Sequence, residues 1–153
     1  MAKEIERKFL LSSEKWREEV IQEFDIQQGY ILKGNDRAVR IRIKSGKAIL
    51  NMKKGKSAIE REEFEYEIPL EDGMSLMKWC EQKILKTRYI VNRGDHVWEI
   101  DEFHGSNKGL VVAEIELDSV SQTFSLPDWI GLEVSEDPHY LNTYLSANPF
   151  SEW

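Results

Sequence analysis

Cysteine is nearly absent from this 153-residue chain: Cys80 stands alone, so no internal disulfide and no thiolate zinc cluster can form. It lies in MSLMKWCEQ beside apolar residues, where a packed thiol is the ordinary reading. Histidine is almost as sparse, and His96, His104 and His139 share no ligand spacing, which argues against a histidine-based zinc site. Long apolar runs are missing too. None approaches the length needed to cross a bilayer, and MAKEIERKFLL lacks the charged, apolar, small-residue order of a secretory signal, so a cytoplasmic protein is expected. Positive charge is in deficit: a net charge of -7 weighs against nucleic-acid or anionic-membrane partners, and any basic site must be local.

What the chain has is size and pattern. With 153 residues, 41% of them hydrophobic, it can bury a sizeable core. No linker, repeat or low-complexity tract divides it, so residues 1–153 read as a single domain. Apolar and polar residues alternate with period two, the mark of half-buried strands. Strands are expected over about 2–11, 27–33, 37–44, 47–54, 60–69, 84–93, 95–103 and 111–118, with a short extended piece near 131–135. Helices are expected over roughly 13–24, capped by Ser12 or Ser13, over 71–82 after Pro69, and over 138–147 after Asp137. Trp16, Val20, Ile21 and Phe24 form the apolar stripe of the first helix. The Pro/Ser/Asp region around 119–138 reads as a surface excursion. Turns at Gly34-Asn35-Asp36, Ser45-Gly46 and Arg93-Gly94-Asp95 join neighbouring strands antiparallel, and eight main strands suffice to close a barrel. The expected fold class is mainly β (α+β): an eight-stranded antiparallel closed β-barrel with helices packed outside.

Residues two apart on a strand share a face, so parity sorts each strand into two sets. Glu4, Glu6 and Lys8 oppose Ile5 and Phe9; Arg40, Arg42 and Lys44 oppose Val39, Ile41 and Ile43. Arg61, Glu63, Glu65 and Glu67 oppose Phe64, Tyr66 and Ile68, while Lys86 and Arg88 oppose Leu85, Tyr89 and Val91. Glu99 and Asp101 oppose Trp98 and Ile100, and Glu114 and Glu116 oppose Ala113, Ile115 and Leu117. Lys53 shares its face with Ile49 and Asn51 and fits less cleanly. A solvated sheet face accounts for charges on any one strand. It accounts less well for the whole set, because nearly every polar face carries same-sign doublets instead of Thr, Ser and Gln. With the apolar faces turned outward, the charged faces line a lumen suited to a polyanion and its metal ions. Guanidinium and ammonium groups bind phosphate oxygens, and carboxylates suit a hard cation lying between them and the phosphate.

Glu4-Ile5-Glu6-Arg7-Lys8 resembles the ExExK signature that opens CYTH domains, also called triphosphate tunnel metalloenzymes. The family's order continues in Arg40-Ile41-Arg42, Lys53, the run from Glu63 to Pro69, Lys86-Thr87-Arg88, Trp98-Glu99-Ile100-Asp101, Ala113-Glu114-Ile115-Glu116-Leu117 and the closing GLEVSEDPHYLN. The resemblance implies a tunnel in which Lys8, Arg40, Arg42, Lys53, Lys86 and Arg88 hold a small-molecule triphosphate. It likewise implies that Glu4, Glu6, Glu63, Glu65, Asp101, Glu114 and Glu116 bind Mg²⁺ or Mn²⁺, with Glu133 a further acidic member. Lys8, Lys86, Glu63 and Tyr30 are the candidates for proton handling and catalysis, Tyr30 having a plain packing role as its other reading. The implied reaction is hydrolysis of inorganic tripolyphosphate to pyrophosphate and phosphate by metal-activated water. Class IV adenylyl cyclase, thiamine triphosphatase and a non-enzymatic polyphosphate- or nucleotide-binding module are the alternatives. No nucleic acid or membrane is an expected partner, and the protein is expected to be a monomer or homodimer.

Overall fold

A computed structural model describes residues 3–55, 57 and 59–153. The alternating segments form strands β1 (Lys3–Leu11), β2 (Val20–Lys33), β3 (Arg37–Lys44), β4 (Lys47–Lys54), β5 (Glu60–Ile68), β6 (Lys83–Arg93), β7 (His96–Phe103), β8 (Val111–Glu116) and β9 (Ile130–Glu133). Ala2, the first residue of the expected 2–11 strand, lies outside the described residues. Every pairing is antiparallel, in the order β5-β4-β3-β2-β6-β7-β8-β1. Lys3–Ile5 then pair with Glu60–Glu62 and close an eight-stranded barrel. Farther along that edge of β1, Phe9 and Leu11 pair with β9, the extra strand.

Helices are fewer and shorter than the periodicity suggested. Only α1 (Leu70–Met77) and α2 (Asn142–Ala147) are α-helical among the described residues, and a 3₁₀ turn at Pro138–Tyr140 precedes α2. The expected helix over 13–24 is not there. A 3₁₀ turn covers Lys15–Glu19, and Val20 already begins the 14-residue β2. Trp16, Val20 and Phe24 recur with a spacing of four, which imitates a helical stripe. Pairing of the β-branched and aromatic segment with β6, Val20 opposite Val91 and Phe24 opposite Arg88, overrides that local pattern. Among the described residues no helix is long and apolar enough to cross a membrane.

The apolar faces look outward and are covered by short pieces of chain. Over β1, β6, β7 and β8 the cover is Trp16 from the 3₁₀ turn together with Phe124 and Trp129, which pin the otherwise exposed excursion of 118–129 to the barrel. Trp129 is fully buried, and Phe124 meets the rings of Phe9 and Trp98 edge-to-face. Over β2, β3 and β4 the cover is α1. Gly73 lies so near the methyl of Ala48 that any Cβ there would overlap it. Gly73→Ala is therefore expected to lift the helix and lower stability by about 1–3 kcal/mol, read as a shift in the urea midpoint with an unchanged slope.

Candidate active site

Because the apolar parity faces outward, the charged parity faces in. The result is a cavity of about 260 Å³ lined by Glu4, Glu6, Lys8, Tyr30, Arg40, Arg42, Lys44, Asn51, Lys53, Arg61, Glu63, Glu65, Arg88, Glu99, Glu114 and Glu116. Leu141, Asn142 and Thr143 from the C-terminal segment also line it. That segment is tied to the barrel by lysines: Lys8 Nζ donates to the Tyr140 carbonyl at 3.0 Å, and Lys33 Nζ donates to Ser146 Oγ at 2.9 Å. Tyr30 lines the cavity and also packs against the Ile84/Leu145 cluster.

Carboxylates and cations are zipped together along the wall made by β1, β4 and β5. Arg61 Nη2 lies 3.1 Å from Glu4 and 3.4 Å from Glu6, and Lys53 Nζ lies 2.8 Å from Glu4 and 3.4 Å from Glu63. Asn51 Nδ2 then donates to Glu63 at 3.0 Å and to Glu65 at 2.8 Å. With cations between the acids, no three His, Cys, Asp or Glu side chains among the described residues form a ready metal cage. Among the described residues no cation lies within ion-pairing distance of Glu116. Partial burial, then repulsion from Glu4, Glu63, Glu6 and Glu99, pushes its carboxyl up to about 7.

The opposite wall has the reverse problem. Arg40 is buried and, among the described residues, no carboxylate lies within ion-pairing distance of it; its Nε has no hydrogen-bond partner. Arg42, also buried, donates among the described residues only to Gln28 Oε1 at 3.4 Å. Burial and then the charges of Arg40 and Arg88 push its guanidinium well below the ordinary value. Lys44, next on the same face, is lowered by burial and by Arg88 and Arg42, and rests on the Phe24 ring.

Behind this wall Asp101 organises β6. Its carboxylate takes Lys86 Nζ at 2.8 Å and a forked pair from Arg88 at 2.8 and 2.9 Å. Burial alone would raise Asp101, but Arg88 and Lys86 outweigh it and hold the carboxyl well below the usual range. Burial lowers Lys86 to about 7, opposed by Asp101 and reinforced by Arg88 and Arg42.

Most of the residues read from sequence therefore meet at one cavity. Lys86 and Asp101 do not line it: both are buried behind the wall, and Asp101 is taken up by cations instead of being open to a metal. Glu114 lies between Lys8 at 3.5 Å and Arg88 at 3.9 Å. Glu133 is outside the barrel, where its carboxylate clamps Arg7 at 2.6 Å. Arg61, Lys44, Glu99 and Asn51 are additions to the carried-over set. Parity alone marks the first three, whereas nothing in the sequence marks Leu141–Thr143 as cavity wall.

Known proteins share this chain's sequence and fold over nearly its whole length. The family model for the CYTH domain matches residues 2–143. An inorganic triphosphatase from Acetivibrio thermocellus is 41% identical over 155 residues, covering 100% of this chain and 99% of that protein. One from Nitrosomonas europaea is 30% identical over 150 residues, covering 95% and 97%. The solved structure of an inorganic triphosphatase superposes with a TM-score of 0.69 at 29% identity, covering 95% of each chain.

Proposed function

This chain belongs to the CYTH domain family, and from that premise we propose that it hydrolyses inorganic tripolyphosphate to pyrophosphate and phosphate inside the barrel, with Mg²⁺ or Mn²⁺. The observation that carries the reading is the pair of buried guanidinium groups, Arg40 and Arg42, held without carboxylate partners opposite a wall of glutamates. A buried, uncompensated cation is costly, and an anion of high charge density relieves that cost.

Arg40, Arg42, Lys8, Lys53 and Arg88 would hold the phosphate oxygens, the guanidinium groups as forks and the ammonium groups as point charges. Glu4, Glu6, Glu63 and Glu116 are the acids best disposed for a metal, with Glu65 and Glu114 beside them. Their donor set, all carboxylate oxygen, fits a hard divalent cation, and the raised carboxyl of Glu116 marks a place where positive charge is missing. When bound, such an ion supplies charge neutralisation and water activation. Asp101 orients Arg88 from behind the wall, and Lys86, poised near neutrality on the same carboxylate, sets how much of the Asp101 charge is left to hold Arg88. Tyr30 lines the same space and positions the substrate.

Phosphate release from tripolyphosphate, ATP and thiamine triphosphate, each with Mg²⁺, Mn²⁺ or EDTA, tests this. The expected result is fast, metal-dependent release from tripolyphosphate ahead of the other two. It should rise as pH passes about 7, where the lowered Lys86 and the raised Glu116 both lose a proton, and Lys86→Arg and Glu116→Gln should each remove part of that rise. Pyrophosphate formed from ATP together with cyclic AMP would mean a cyclase, and no turnover of any of the three would mean a binding module.

A further inference from the structure

Arg61 carries the inference. It is directly opposite Glu4 in the β1–β5 register, and one terminal nitrogen reaches both Glu4 and Glu6. The two glutamates are two apart on one strand and share its inner face, so one nitrogen of Arg61 reaches both and the rest of its fork is left over for other acceptors. Arg61 Nε is buried and has no hydrogen-bond partner among the described residues. Around it, among the described residues, Lys53 is shared between Glu4 and Glu63, and no cation lies within ion-pairing distance of Glu116, which lines the same cavity.

We infer that Arg61 is an internal stand-in for the metal ion, holding Glu4 and Glu6 while the cavity is empty and turning to the phosphate chain when a divalent cation takes those carboxylates. The inference rests on the metal-dependent reading above. Its physical basis is competition, since the same oxygens cannot serve a guanidinium and a hard cation at full strength together. Once displaced, Arg61 faces the cavity with its donors free, beside Lys53, which loses its Glu4 contact in the same step. A tripolyphosphate is the anion that would then satisfy both. Metal and substrate thus favour each other's binding through one side chain, and by linkage the coupling is reciprocal.

The consequence is a pair of opposite effects that a merely structural arginine would not produce. In Arg61→Gln, Mn²⁺ alone, followed by calorimetry or by the resonance of the free ion, is expected to bind about tenfold more tightly, or by about 1.4 kcal/mol. The KM for tripolyphosphate at saturating Mn²⁺ is expected to rise several-fold. Arg61→Lys keeps the charge without the fork and should move both quantities the same way by less; it decides the matter if the glutamine variant lacks a cooperative melt. Mn²⁺ binding equal to or weaker than wild type in the variants overturns the inference. Tighter binding with an unchanged KM overturns the transfer to phosphate. No Mn²⁺ uptake by wild type removes the metal reading itself and this inference with it, so the two failures are distinguishable.

Discussion

Alanine at both Arg40 and Arg42 is expected to abolish tripolyphosphate binding while leaving the protein as stable as wild type, or more so. Each guanidinium offers charge-assisted bonds to phosphate, worth about 1.5–3 kcal/mol apiece, so losing both weakens binding by roughly two to four orders of magnitude. Stability behaves differently because the arginines give the empty fold no ion pair. Arg42 is destabilised as a cation by burial and by Arg40 and Arg88, and removing it relieves that repulsion. Denaturant melts in EDTA should place the double variant within about 1 kcal/mol of wild type. Adding tripolyphosphate at 100 times its dissociation constant should then stabilise wild type by about 2.7 kcal/mol and the variant hardly at all. An unchanged affinity would remove both residues from the site.

The legibility of this site follows from one rule and fails where that rule does not apply. On regular strands, parity brought Glu4, Glu6 and Lys8 to the same interior as Arg40, Arg42, Glu114 and Glu116, because a period of two cannot put consecutive side chains on one face. Arg61 and Lys44 obeyed the same parity but were absent from the set carried over by resemblance. Depth was harder to read: Lys86 and Asp101 are on the inner face and yet behind the wall, because a closed barrel packs some inward side chains against one another. The helix expected over 13–24 failed for a different reason. Spacing within Trp16–Phe24 is local information, and the β6 partner that extends this segment is more than 60 residues away in sequence. Trp129 was invisible because irregular chain has no period, and Asn142 and Thr143 because a helical period tells that a helix forms but not that its first turn closes the cavity.

The largest expected loss of stability comes from Asp101→Asn. The carboxylate is almost fully buried between Lys86 and Arg88, and an amide of the same shape leaves two cations without a counter-charge. Breaking a buried pair in this way costs about 3–5 kcal/mol, on the order of 10 °C in melting temperature for a chain of this size. The dependence on pH identifies the cause. In wild type the lowered carboxyl of Asp101 contributes stability that is present above its unfolded value, near 4, and is lost as pH falls through its lower folded value. Wild type and variant should therefore converge in strong acid. Toward neutrality Lys86 offers relief: without Asp101 to hold its proton it falls below about 7, sheds the charge there, and leaves only Arg88 uncompensated, whereas above about 7 wild type has shed that proton too. The stability gap should thus be widest just above pH 4, narrow as pH rises to about 7 and stay level from there to pH 9, and the Lys86 inflection in the activity profile should move to lower pH along with a lower kcat. A gap that stays constant from pH 4 to 9 would mean that Asp101 acts through packing alone, and that Lys86 is not the group that exchanges a proton near neutrality.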